Sequence, residues 1–137
     1  MTDKKRVLIM EDNRNLALEW KNIFVLNQCD VEVTHNGEDA RLFLELEHFD
    51  LVVTDLFVEG RKGGLHVLSH LVGMGPDAPP SIAVTGSFVY SSRSSEQNLF
   101  LAQAGRLGAS VKLAKPFPAI ELVSIARSLW LETPQHA

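Results

Sequence analysis

Four short apolar runs in this chain each end in a polar residue of a different kind. Val7–Met10 leads into Glu11 and Asp12, Leu51–Thr54 into Asp55, Ile82–Val84 into Thr85, and Ser110–Ala114 into Lys115 and Pro116. An acid pair, a lone Asp, a hydroxyl and a Lys are the parts of a phosphoryl-transfer site. Three carboxylates drawn together repel unless a cation joins them. Oxygen donors of this kind hold Mg²⁺ (or Mn²⁺), with substrate phosphate completing its coordination shell. Asp55 is a competent nucleophile that forms an acyl phosphate. Lys115 offers a fixed charge to the phosphoryl oxygens, and the Thr85 hydroxyl offers a hydrogen bond. Each residue alone has a plainer role, since an Asp after a strand commonly caps a helix or makes a turn. The chemistry lies in the combination.

Such residues meet only if the four runs are neighbouring parallel strands, whose carboxyl ends open onto a shared crevice. The rest of the chain provides for this. Short apolar runs alternate with amphipathic segments, the pattern of βα units around a parallel sheet. Asn13–Asn27 carries Leu16, Trp20, Ile23, Phe24 and Leu26 at helical spacing. A more polar strand is expected at Val31–Thr34, and a second helix over Glu38–Glu47 after Asn36-Gly37. Leu65–Val72 reads as the heart of a third helix, and residues 73–80 as a turn-rich connection. Gly86–Ser95, with five serines, reads as an exposed loop. A fourth helix is expected over Glu96–Leu107, and a fifth after Pro118, with Ile120, Val123, Ala126, Leu129 and Trp130 as its stripe. The reading is five βα units in one doubly wound α/β domain over residues 1–131, with a short polar tail at 132–137.

Composition narrows the function classes. A chain of 137 residues, 45% hydrophobic and 22% charged, suits one domain with a real core. Its net charge of −4 argues against a general polyanion binder, and Lys4-Lys5-Arg6 reads as a solvated chain start. Cys29 stands alone, so no internal disulfide is expected, which suits a reducing cytoplasm. The first apolar stretch is cut short by Glu11, unlike a signal peptide. No run approaches the roughly 20 apolar residues that span a bilayer. Glycine patterns for dinucleotides or nucleoside triphosphates are absent. His66 and His70 have helical spacing but no evident third ligand, so packing or surface roles are expected for them. Trp20 and Trp130 are expected in the core on one sheet face.

These motifs resemble those of the receiver domains of two-component response regulators, over nearly the whole chain. Val7-Leu-Ile-Met-Glu-Asp12 resembles the family's first strand and acid pair, and Asp50-Leu-Val-Val-Thr-Asp55 its third strand with the phosphoacceptor. Ala83-Val-Thr-Gly86 matches the hydroxyl position, and Gly108–Phe117 the end of the domain. The resemblance implies a flavodoxin-like fold, a five-stranded parallel sheet of order 2-1-3-4-5 with five helices. It implies that Asp55 is phosphorylated by a histidine kinase or a histidine phosphotransfer protein. It places Mg²⁺ on Asp12, Asp55 and the Phe57 backbone carbonyl, with Glu11 acting through water, and makes the Lys115–Pro116 bond cis. A downstream protein target would read the surface of the fourth helix, fifth strand and fifth helix. A phosphorylation-linked dimer stays open. Neither direct nucleic-acid binding nor membrane attachment is implied, and the domain modifies itself rather than turning over a substrate.

Three departures from the family pattern bear on the switch. Lys112 stands where an aromatic residue usually reports phosphorylation together with the Thr. The loop after Asp55 lacks the customary Met-Pro and Asp-Gly. The segment after Thr85 is lengthened, and its Phe88 and Tyr90 are candidate partner contacts. One rival reading is therefore a pseudo-receiver that binds protein without phosphorylation. A phosphohydrolase with an aspartyl-phosphate intermediate is the other, but it needs an acid two positions after its nucleophile, where this chain has Phe57.

Overall fold

The strands at the middle of the sheet are the most apolar. In a computed structural model of the chain, which describes residues 4–56, 63–85 and 108–132, β1 (Arg6–Met10), β3 (Leu51–Asp55) and β4 (Ser81–Thr85) are buried along almost their whole length. Continuous burial is what a parallel strand covered on both faces requires. β2 (Asp30–Thr34) and β5 (Val111–Ala114) are half-exposed and lie at the two edges. The sheet runs β2-β1-β3-β4-β5, all parallel, in the expected order.

Side chains alternate between two cores. Val7, Ile9, Leu51, Val53, Ile82 and Val84 face one way. There they meet Trp20 and Phe24 of α1 (Arg14–Leu26) and Leu122, Val123 and Ala126 of a C-terminal helix, α4 (Ile120–Glu132). Leu8, Met10, Val52 and Ala83 face the other way, toward Ala40 and Leu44 of α2 (Gly37–Leu46) and Val67, Leu68 and Leu71 of α3 (Gly63–Met74). Helices thus cover both faces, and Trp20 and Trp130 pack on the same one, as expected. The segment expected as a helix at 96–107 lies outside the described residues, which hold four α-helices. α4 starts two residues beyond Pro118, whose carbonyl accepts from the Glu121 N–H.

Local chemistry sets the helix starts. The Asn13 side chain accepts from the Leu16 N–H at 3.0 Å, and the Asn36 side chain from the Asp39 N–H at 2.8 Å, each satisfying a first-turn donor. α1 stops where Gln28 turns left-handed at φ 69°. At the amino ends of the strands Asp50 fastens several elements together. Its carboxylate accepts from the Arg6 N–H at 2.8 Å, and its carbonyl from the Trp130 indole N–H at 2.9 Å. Arg6 also pairs with Glu47 at 2.7 Å. No helix of the described residues is long and apolar enough to cross a membrane.

Candidate functional site

Strand register brings the candidate residues to one end of the sheet in a staggered row. Met10 pairs with Thr54, which puts Glu11 level with Asp55. Asp55 pairs with Val84 and Thr85 with Ala114, so Thr85 lies one step further and Lys115 two. Lysine's four-carbon stem spans that offset. Its Nζ donates to Asp55 Oδ2 at 2.8 Å and to Glu11 Oε1 at 2.7 Å. One cation from the edge of the sheet thereby joins acids from two central strands. The Lys115 N–H donates to the Thr85 carbonyl at 3.0 Å, and the Lys115–Pro116 peptide is cis, as the family resemblance implies.

Burial sharpens the electrostatics. Glu11 is fully buried and Asp55 2% exposed. Desolvation first, and then the charge of Asp55, push the Glu11 carboxyl up to about 7, against the pull of Lys115 and the Asn13 N–H. Burial also opposes the charge on Lys115, but Asp55 and Glu11 outweigh it and its pKa is raised. Both rise for different reasons: the ammonium gains from two carboxylates, whereas Glu11 is desolvated and lies beside the charge of Asp55, which together exceed the pull of Lys115. Glu11, Asp12 and Asp55 each offer a carboxylate oxygen, all within 4.8 Å of one another. An all-oxygen, acid-rich set of this size matches what a hard divalent cation takes. His66 and His70 belong to no such group among the described residues.

The Thr85 hydroxyl is buried and lacks a hydrogen-bond partner among the described residues. A desolvated hydroxyl is costly unless something accepts or donates to it, and a group entering the strand-end crevice would do so. By strand alternation Thr85 shares its sheet face with Lys112, which pairs with Ala83 and is exposed on the edge strand. Charge on an edge strand discourages further pairing. Phe57, Phe88 and Tyr90, expected as a metal contact and partner contacts, lie outside the described residues.

Several residues beside the site were not singled out by sequence. The Asn13 N–H donates to Glu11 Oε2 at 3.0 Å. His35 Nδ1 lies 2.9 Å from the Glu11 carbonyl oxygen. The Lys115 ammonium sits 5.8 Å from the Trp20 ring centre, and that ring stacks on Phe117 at 5.8 Å. Trp20 read only as a core residue because helical spacing reports burial and not what lies at the rim. His35 directly follows β2, the strand beside β1, and that position was the available clue.

Comparison with known proteins agrees with this geometry. The family of response regulator receiver domains matches residues 7–127. Response regulator MprA of Mycobacterium tuberculosis is 29% identical over 133 residues, covering 96% of this chain and 54% of that protein. Transcriptional regulatory protein CpxR of Escherichia coli is 30% identical over 136 residues, covering 96% and 53%. The chain spans about half the length of these relatives. The signal receiver domain of a response regulator from Bermanella marisrubri superposes with TM-score 0.76 at 26% identity, covering 93% of this chain and 99% of that one. A CheY-like receiver domain protein from Methanospirillum hungatei gives 0.75 at 25%, covering 94% and 96%. A parallel sheet of order 2-1-3-4-5, acids and a lysine gathered at its carboxyl end, and a family match along most of the sequence lead to one assignment: the chain belongs to the response regulator receiver domains, the signalling domains of two-component systems.

Proposed function

We propose that this receiver is phosphorylated on Asp55, with a histidine kinase or histidine phosphotransfer protein as donor. The observation that carries the reading is the double contact of Lys115 with Asp55 and Glu11, beside a buried Thr85 hydroxyl that has no hydrogen-bond partner among the described residues. An Asp55 carboxylate oxygen attacks phosphorus, an O–P bond forms, and the donor's P–N bond breaks with its electron pair going to the imidazole. Lys115 stays near Asp55 as the charge shifts outward, and Thr85 donates its hydroxyl to a phosphoryl oxygen. Glu11, Asp12, Asp55 and the Phe57 carbonyl would hold Mg²⁺ (or Mn²⁺). When bound, the ion offsets the acids' mutual repulsion and the charge on the phosphoryl group.

Lys112 replaces the usual aromatic partner of Thr85, so the output runs through other contacts, for which Phe88 and Tyr90 are the candidates. The readers would be downstream proteins, with a phosphorylation-linked dimer open and no direct role for nucleic acid or membrane. Residues 1–131 form the receiver and 132–137 a tail. The lone thiol of Cys29 suits the cytoplasm. Lys112 also favours a second reading, a phosphorylation-independent binding module.

Intact mass decides between them. After incubation with acetyl phosphate and Mg²⁺, the protein gains a single phosphate, and the Asp55→Asn variant gains none. No gain, under conditions that modify another receiver, leaves the binding module. Release of phosphate over many turnovers would contradict both.

A further inference from the structure

The backbone ladder between β1 and β2 runs one step past the strands and then stops. Its last rung is the Glu11 N–H donating to the Thr34 carbonyl at 3.0 Å. A parallel ladder would continue with an N–H from β2's side to the Glu11 carbonyl. Instead the chain swings away at Asn36 to cap α2, with its side chain engaged by the Asp39 N–H. The Glu11 carbonyl belongs to a fully buried residue and needs a donor. His35 supplies it from its ring, with Nδ1 at 2.9 Å. A carbonyl only accepts, so Nδ1 carries the proton.

That carbonyl lies in the peptide that joins Glu11 to Asp12. Fixing the plane of this peptide fixes where the Asp12 side chain begins relative to Asp55. The Glu11 carboxylate is held separately, by the Asn13 N–H and Lys115. His35 is half-buried, and its outer side lines a shallow groove with Val33, Phe43 and Leu46. Changing the ring therefore leaves the two cores intact.

We infer that His35 is a positioning residue of the acid site, its Nδ1–H bond to the Glu11 carbonyl orienting the Glu11–Asp12 pair for a divalent cation. This rests on the metal-dependent reading given above. His35 touches neither ion nor phosphate; it acts through one peptide. A donor of similar reach, as in His35→Asn, preserves the arrangement, whereas His35→Phe keeps the ring and loses the donor.

The test has two parts. Long-range ¹H–¹⁵N spectra of the wild-type imidazole report its tautomer, and amide shifts during a MgCl₂ titration report affinity, with thermal unfolding as a check on folding. The expected results are an Nδ1–H tautomer and a dissociation constant raised about tenfold by His35→Phe, as for other residues that orient metal ligands. His35→Asn stays within about twofold of wild type because its amide restores the donor. At saturating Mg²⁺ the acetyl-phosphate reaction of His35→Phe returns to the wild-type rate, so the defect lies in binding. His35→Gln, with its amide displaced, is the second donor variant and follows Phe. An Nε2–H tautomer, unchanged affinity in Phe and Gln, or an Asn variant as weak as Phe overturns the inference while the metal site stands. Wild-type protein that binds no Mg²⁺ despite an Nδ1–H tautomer overturns the metal-dependent reading, and the inference with it.

Discussion

Lys115→Met is expected to abolish phosphorylation and to cost about 3 kcal/mol of folding stability at neutral pH without divalent cations, the scale on which a buried ion pair loses one partner. Lys115 meets Asp55 at 2.8 Å and Glu11 at 2.7 Å. Removing its charge leaves two desolvated carboxylates at the same level of the sheet with the ammonium gone. The chain can relieve this by taking up a proton, so the deficit shrinks as pH falls and a carboxyl becomes neutral. Urea unfolding in a chelating buffer at pH 7.5 and pH 5 measures both effects. A midpoint unchanged at pH 7.5, or a deficit that grows toward pH 5, would contradict the charge-counting account. In the mass assay the Met variant stays unmodified, because no fixed cation remains beside the attacking Asp55.

Glu11→Gln is expected to move stability in the opposite direction. The folded Glu11 carboxyl titrates at about 7 against an ordinary 4.5, first through burial and then through the charge of Asp55. Between those values the folded protein keeps a proton that the unfolded chain releases. Stability therefore falls as pH rises from 4.5 to 7 and levels off above. A difference of that size corresponds to about 3 kcal/mol. Glutamine removes the titration but gives up one charged hydrogen bond with Lys115. The net expectation above pH 7, in chelator, is a variant about 2 kcal/mol more stable than wild type. Near pH 4.5 the advantage disappears. Added MgCl₂ should stabilise the wild type far more than the variant, since the acid that disfavours the fold without a cation is one of the acids proposed to hold it. Thermal unfolding across pH, with chelator and with MgCl₂, measures this. Wild-type stability that climbs from pH 5 to 7, or a Gln variant weaker at pH 8, would refute it.

The sheet and the row of polar residues at its carboxyl end were largely legible because both depend on single-strand properties. Val7–Met10, Leu51–Thr54 and Ile82–Val84 are apolar without interruption, and each proves to be a central strand with its polar residue at the carboxyl end. Asn13 opened the first expected helix and Asn36 closed the second expected strand, and each proves to cap a helix with its side chain. Element ends moved by a residue or two, since fraying and caps blur them. Relations between strands were not legible. Periodicity says which residues share a face, but the two-step offset between Asp55 and Lys115 is a matter of register. So is the meeting of Lys115 with Glu11, 104 positions apart. His35 escaped notice for the same reason: its role exists only because the chain leaves the ladder at Asn36. Lys112 was visible at once as a departure, and its exposed edge position fits the charge.

The packing around Lys115 gives the domain a built-in optical probe. Indole emission responds to nearby charge, and the Lys115 ammonium lies 5.8 Å from the centre of Trp20, a ring shielded from solvent and braced by Phe117. Trp130, the other fluorophore, is anchored at the opposite end of the sheet on the Asp50 carbonyl, with Lys5 as its own neighbouring cation. One tryptophan thus lies beside the strand ends where the acids gather, and the other at the far end of the sheet. A displacement of the ammonium is therefore expected to change the emission of Trp20.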